Sequence, residues 1–232
     1  MRAVLESSRE LAPGVRHFDF SVPSIERLEF QAGQFVSFAE EIAGKHITRA
    51  YSISSAPGNG NRFSLCLNLV PDGRFSPFLF AMKSGDSVAM QGPLGTFTIR
   101  EPAQDMIWVA TGTGIAPFRG MLDVWRALPQ NGRGRVTLIF GVRHEENLLY
   151  RADFEAAAEA LPDFEFQPTL SRPNTEWVGR AGHVQRHVLE FIGDRLDLQI
   201  YICGLKLMVE DLRAQLKRIG FDRKQLIYEK FD

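Results

Sequence analysis

The chain has 232 residues, 44% hydrophobic and 24% charged, with a formal net charge of −1 from 27 basic and 28 acidic side chains. A chain this long buries enough apolar surface to fold without disulfides, as one large or two small domains. Near-neutral charge offers no electrostatic footprint for nucleic acid, and two cysteines cannot build a disulfide framework, a four-cysteine zinc site or an iron–sulfur cluster. No apolar run approaches the roughly 18 residues of a membrane span. The first ten residues, MRAVLESSRE, reach charge too soon for a secretory signal, so a cytoplasmic location is expected.

Up to about residue 103 the chain consists of short runs between turn signals. Residues 15–20 (VRHFDF) and 63–69 (FSLCLNL) alternate apolar and polar, the mark of antiparallel strands with one buried and one wet face. Residues 34–38 are a further strand. Between the runs stand AG at 32–33, PGNG at 57–60, PDG at 71–73, SGD at 84–86 and GPLG at 92–95. Turn formers at these spacings suit a small barrel or sandwich.

After Pro102 the rhythm changes to strand, helix, strand. Apolar strands are predicted at 106–110, 135–140, 164–170, 198–203 and 225–228, and helices at 118–128, 151–161, 184–192 and 206–219. Five strands separated by four helices read as a doubly wound parallel sheet. The expected domains are therefore 1–102 and 103–232.

Two motifs carry chemistry. Ala110-Thr111-Gly112-Thr113-Gly114-Ile115-Ala116-Pro117 follows a strand and opens a helix, so its glycines would let backbone amides approach a diphosphate. Its pattern is G-x-G-x-x-P, without the third glycine of the usual dinucleotide fingerprint. Arg49-Ala50-Tyr51-Ser52 lies between candidate strands and combines a phosphate fork, a flat aromatic face and a small hydroxyl.

Taken in order, these two motifs, VPDGRFSP at 70–77, Gly92-Pro93-Leu94-Gly95, Ile202-Cys203-Gly204 and the ending Tyr228-Glu229-Lys230-Phe231-Asp232 resemble the ferredoxin–NADP reductase superfamily, above all its compact bacterial ferredoxin or flavodoxin reductases. The resemblance implies an N-terminal antiparallel Greek-key β-barrel that binds FAD. It also implies a C-terminal α/β domain with a five-stranded parallel sheet that binds NADP(H), its last residues returning to the flavin. For FAD it implies Arg49 at the diphosphate, Ala50 among the FAD-binding residues, Tyr51 on the isoalloxazine, Ser52 near the hydride-accepting nitrogen, and Leu67, Asn68, Leu69 and Val70 beside the tail. Gly73, Arg74, Phe75 and Ser76 would form a second diphosphate cradle, with a short helix beginning at Ser76. Thr113 would sit beside flavin and nicotinamide, and Phe231 would cover the far flavin face. For NADP(H) it implies Gly112, Thr113, Gly114, Ser171, Cys203 and Gly204, with Arg143, Arg172 and Arg180 reading the 2′-phosphate, a task that suits arginine's bidentate fork. Ser52, Cys203 and Glu229 are the residues expected at the reacting centres.

The resemblance thus implies hydride transfer between NADPH and FAD and single-electron transfer to a small carrier, ferredoxin or flavodoxin, by a monomer. An NADH- or NADPH-dependent reductase of an oxygenase is the alternative, and with two cysteines in the chain its cluster would belong to a partner. A non-catalytic flavin- or nucleotide-binding regulatory subunit is the alternative of another class. No metal is expected at His183 and His187, which are four residues apart but lack a third ligand. Cys66 reads as a small buried strand residue, and Phe75, Phe78 and Phe80 as barrel-end packing.

Overall fold

The computed structural model describes residues 1–100 and 104–231, so the domain boundary expected at 102/103 and the terminal Asp232 lie outside the described residues. Contacts divide the chain into two compact units, Met1–Ile99 with Ala116–Arg126, and Arg100–Ile115 with Ala127–Asp232.

The first unit holds β1 (Arg2–Ala12), β2 (Val15–Ser21), β3 (Phe35–Ile42), β4 (Lys45–Ser52), β5 (Arg62–Asn68), α1 (Phe75–Ala81) and β6 (Ser87–Leu94). The strands form one antiparallel sheet in the order β4-β3-β6-β1-β2-β5. An antiparallel bridge from Ile53 to Leu65 ties the end of β4 to β5, so the sheet curls on itself as a barrel. Alternation along β2 turns Phe18 and Phe20 inward, both fully buried. The Phe20 ring lies 5.1 Å from Phe38 and 5.7 Å from Phe63. Each such ring contributes roughly 1.5–3 kcal/mol by leaving water. On the opposite face of β2, Asp19 accepts hydrogen bonds from Ser7 at 2.8 Å and Ser64 at 2.7 Å.

Three strands extend beyond the alternating runs. Strand β1 has exposed side chains from Glu6 to Glu10, and β4 from Lys45 to Ala50 apart from half-buried Ile47. Over these stretches alternation has no buried face to reveal, although Ala3 and Leu5 at the start of β1 are buried in the core. The GPLG stretch expected as a turn is mostly strand, since β6 runs through Leu94. Helix α1 begins at Phe75 and caps the barrel end, with Phe75 and Leu79 buried and the Phe80 ring 5.5 Å from Phe18. Helix α2 (Ala116–Ala127) belongs mostly to this unit, with the Phe118 ring 5.6 Å from Phe97.

The second unit contains β7 (Met106–Thr111), β8 (Val136–Val142), α3 (Arg151–Ala160), β9 (Phe164–Leu170), β10 (Arg180–Ala181), α4 (Val184–Ile192), β11 (Gln199–Leu205), α5 (Lys206–Arg218) and β12 (Leu226–Phe231). The parallel sheet has the order β10-β9-β8-β7-β11-β12. It is six-stranded, which corrects the expected five. The extra strand, Arg180–Ala181, is two residues long and pairs with Thr169 and Leu170, too short to leave a periodic signal.

Strand β7 is buried on both faces, as the centre of a parallel sheet must be. Ile107 and Val109 join one core with Val188 of α4 and Val209 and Leu212 of α5. Trp108, pointing the other way, meets Phe164 at 6.3 Å, and Phe154 of α3 stacks on Phe166 at 5.5 Å. From β7 the chain steps outward through β8, β9 and β10, then returns to place β11 on β7's other side. The strand order therefore reverses between β7 and β11, the place where open α/β sheets take their ligands.

Candidate functional site

In the barrel unit the Arg49-Ala50-Tyr51-Ser52 cluster lies in the last four positions of β4, rather than between strands as expected, paired with residues 35–38 of β3. Arg49 and Ala50 are exposed, Tyr51 is half-buried and Ser52 is buried. The Tyr51 ring is 6.0 Å from Phe38 and 6.3 Å from Phe75, so the aromatic core backs the tyrosine and joins β4 to the start of α1. Burial pushes the Tyr51 phenol far above its ordinary value, against a smaller opposing effect of Arg49, so it remains neutral.

The contact between Tyr51 and Phe75 brings the second expected cradle beside the first. There the Val70 N–H donates to Ser76 Oγ at 2.9 Å, and the Gly73 N–H to the Val70 carbonyl at 2.9 Å, closing residues 70–76 into a turn. No side chain caps α1. Arg49 donates at 2.8 Å to the Thr48 carbonyl and Arg74 is exposed; neither is in an ion pair among the described residues. Two unneutralised guanidiniums beside a neutral aromatic face suit a diphosphate joined to a flat ring system, so the residues present fit FAD. Leu67 is buried, Asn68 exposed, Leu69 half-buried and Val70 exposed, which gives the end of β5 a mixed surface.

In the second unit the glycine motif lies at the strand-order reversal. A 3-10 turn, Gly112–Ile115, follows β7, and α2 then carries Pro117 in its first turn, where a missing N–H is harmless. Gly112 has φ +54° and open space where a side chain would start. Gly114 is different, because a Cβ there would stand 2.3 Å from the Cys203 carbonyl oxygen. The turn thus rests directly on the end of β11, and the Leu205 N–H donates to Thr111 Oγ1 at 3.4 Å. Thr113 is half-buried beside it. An open glycine turn against a close-packed neighbour fits a nucleotide diphosphate at the crevice.

Cys203 is fully buried. Burial, and then the charge of Glu229, pushes its thiol well above the usual range. It is a neutral thiol, unsuited to nucleophilic work. Glu229 is opposite Cys203 in the β11–β12 register, and Phe231 is opposite Leu205; both are half-buried.

Of the three arginines expected at the 2′-phosphate, the structure brings two together. The Arg172 N–H donates to the Arg143 carbonyl at 2.9 Å, and the Ser171 N–H to the Val142 carbonyl at 2.9 Å. Both arginines are exposed at the ends of β8 and β9, with neither guanidinium in an ion pair among the described residues. Arg180 is held elsewhere. Its guanidinium donates to Gln167 at 2.8 Å and Glu190 at 3.2 Å and lies 4.7 Å over the Phe191 ring. Gln167 precedes Thr169, the register partner of Arg180, so the side chain reaches back along β9, away from Arg172.

Two residues escaped the sequence reading. His144 binds the Arg172 carbonyl through Nδ1 at 3.0 Å, and its only sequence signal was its place after Arg143. Trp177 donates from Nε1 to the Arg180 carbonyl at 2.8 Å and folds the loop between β9 and β10.

Comparison with known proteins agrees with both halves. The oxidoreductase FAD-binding domain family matches residues 2–99, and the oxidoreductase NAD-binding domain family matches residues 108–214. The chain is 35% identical to ferredoxin–NADP reductase B of Sorangium cellulosum, covering 99% of this chain and 97% of that protein. It is 32% identical to the toluate 1,2-dioxygenase electron transfer component of Pseudomonas putida, covering 99% of this chain but 67% of that one. The crystal structure of Amycolatopsis cytochrome P450 reductase GcoB superposes with a TM-score of 0.88 at 27% identity, covering 100% of this chain and 70% of that one. With FAD- and NAD-binding domains in series and a full-length relative at this identity, the chain belongs to the ferredoxin–NADP reductase family of oxidoreductases, which move electrons between nicotinamide nucleotides and FAD.

Proposed function

We propose that the protein is an NADPH-dependent reductase of a small redox carrier, ferredoxin or flavodoxin, acting as a cytoplasmic monomer with its FAD-binding and nucleotide-binding parts divided near residue 102. The observation that supports the NADPH assignment is the backbone hydrogen bond that joins the Arg172 position to the Arg143 position, two exposed arginines in no ion pair among the described residues. A 2′-phosphate is the group that distinguishes NADPH from NADH, and paired forks suit it better than one cation. Ser171 would add a hydroxyl donor there. Arg180, committed to Gln167 and Glu190, acts by holding β10 rather than by touching the phosphate.

Bound FAD supplies hydride acceptance from NADPH and release of electrons one at a time. The chain's residues supply position and charge. Arg49, Ala50 and the turn Gly73-Arg74-Phe75-Ser76 hold the diphosphate, while neutral Tyr51 offers its face to the ring system. Leu67, Asn68, Leu69 and Val70 flank the tail. Ser52, a buried hydroxyl, would hold a proton at the flavin, a role that rests on motif order in the sequence. Gly112, Thr113, Gly114 and Gly204 shape the nucleotide crevice, and Cys203 packs beneath it as a neutral thiol. The assignments of Thr113 and Phe231 to the flavin and of Glu229 to proton traffic rest on motif order in the sequence.

The second reading is a reductase serving an oxygenase, favoured by the 32% identity to the toluate dioxygenase component. Turnover of the FAD-loaded protein with ferricyanide, then with ferredoxin or flavodoxin, tests both. The expected result is kcat/KM for NADPH at least about tenfold above that for NADH. A preference for NADH would favour the oxygenase role. No turnover with either nucleotide would mean a regulatory subunit.

A further inference from the structure

The loop ends that carry Arg143 and Arg172 hold a third ionisable group. His144 Nδ1 lies 3.0 Å from the Arg172 carbonyl oxygen. A carbonyl oxygen only accepts, so Nδ1 carries the hydrogen and any change of protonation falls on Nε2. The ring is exposed, and Nε2 has no hydrogen-bond partner among the described residues. Neutral, Nε2 presents a lone pair, which a phosphate repels; protonated, it is a cationic donor, which a phosphate attracts.

The charged neighbours do not cancel that change. Arg143 precedes the ring at the end of β8, and Arg172 lies across the hydrogen bond at the end of β9. Glu145 follows but is held by Arg151 of α3 at 2.6 Å, and Arg151 also holds Glu155 at 2.6 Å. Glu146 is the remaining exposed carboxylate of the turn Glu145–Asn147.

We propose that His144 is a specificity-determining residue, a proton-gated third arm that strengthens binding of the 2′-phosphate when Nε2 is protonated. The inference rests on the proposed preference for NADPH. It makes nucleotide choice depend on pH, with discrimination by the protein greatest on the acid side, and it requires binding of a 2′-phosphate to stabilise the protonated ring.

Calorimetric titration of the FAD-loaded protein with adenosine 2′-monophosphate and adenosine 5′-monophosphate, at pH 6.0 and 8.5, provides the test. The comparison is with His144→Asn, whose amide keeps a donor near the Nδ1 position but has nothing at Nε2. Wild type should bind the 2′-phosphate about five- to tenfold more tightly than the variant at pH 6.0 and equally at pH 8.5. The 5′-phosphate should show no such pH-dependent gap. The phosphate's own titration is common to both proteins and drops out of their ratio. In parallel, NMR titration should show the His144 ring more fully protonated with adenosine 2′-monophosphate bound than without it. A wild-type to variant ratio that is the same at both pH values, with His144 protonation unchanged by the ligand, would reduce His144 to a loop tie. Equal affinity of wild type for the two monophosphates at both pH values would instead remove the NADPH reading, and this inference with it.

Discussion

The two units build their candidate sites in opposite ways. In the barrel unit the Arg49–Ser52 cluster lies within a strand, β4, and is backed by a packed aromatic core through Phe38, Tyr51 and Phe75. In the second unit the glycine motif, Arg143 and Arg172 lie on turns beyond the ends of parallel strands, held by backbone hydrogen bonds and one close glycine contact. The contrast teaches where each half is vulnerable. A surface arginine on β4 can be removed while the core behind it stays intact, whereas a single carbon added at Gly114 in the second unit must move backbone.

The largest expected effect follows from that difference. Gly114→Val places a side chain against the Cys203 carbonyl and should destabilise the protein by about 1–3 kcal/mol or more, with nucleotide binding lost. Thermal unfolding and titration with NADP+ measure it, and a wild-type melting temperature with normal binding would show that the contact is soft. Next, Arg49→Ala should weaken FAD binding about 10- to 100-fold with little loss of fold stability, read by flavin fluorescence on dilution. If FAD affinity holds, the diphosphate lies elsewhere.

A finer prediction separates the arginines. Arg172→Ala should raise KM for NADPH about tenfold and leave NADH unchanged. Arg180→Ala should alter nucleotide choice less than about twofold while lowering stability by about 1 kcal/mol, since it removes contacts to Gln167, Glu190 and Phe191. Equal effects on nucleotide choice would show that the ion pair with Glu190 opens when nucleotide binds.

The smallest effect concerns pH. Burial lowers the pKa of His17, outweighing the attraction of Asp19. The unfolded chain therefore takes up a proton first, and this part of the stability is present above about pH 6.5 and fades as pH falls through the folded value. For Asp19, burial raises the pKa, but hydrogen bonds from Ser64 and Ser7 and the neighbouring His17 bring it below the ordinary value. Its contribution is lost further down, as pH falls below about 4. Melting curves of wild type and His17→Gln should therefore diverge between pH 8 and 5, with the wild type alone losing the first step. Parallel curves would show that the His17 ring ionises freely in the folded barrel.

The same contrast governs what could be read from the sequence. In the second unit the central strands are apolar throughout and the helices are apolar along one face, so all five longer strands and their helices were legible from apolar rhythm; only the two-residue β10 was not. In the barrel unit, β1 and β4 expose long polar stretches, so alternation gives no strand signal there. Motifs compensated there, since Arg49-Ala50-Tyr51-Ser52 was visible as chemistry before it was visible as strand. The commitment of Arg180 to Glu190 and the bond from His144 to Arg172 were not legible, for both depend on side chains that meet only after the sheet has formed.

The most direct test of the central reading is the anaerobic visible spectrum of the FAD-loaded protein, recorded before and after addition of NADPH, with NADH in parallel. Rapid bleaching of the flavin bands by NADPH and slow bleaching by NADH is the predicted result. Rapid bleaching by NADH, or a flavin that neither nucleotide reduces, would contradict it.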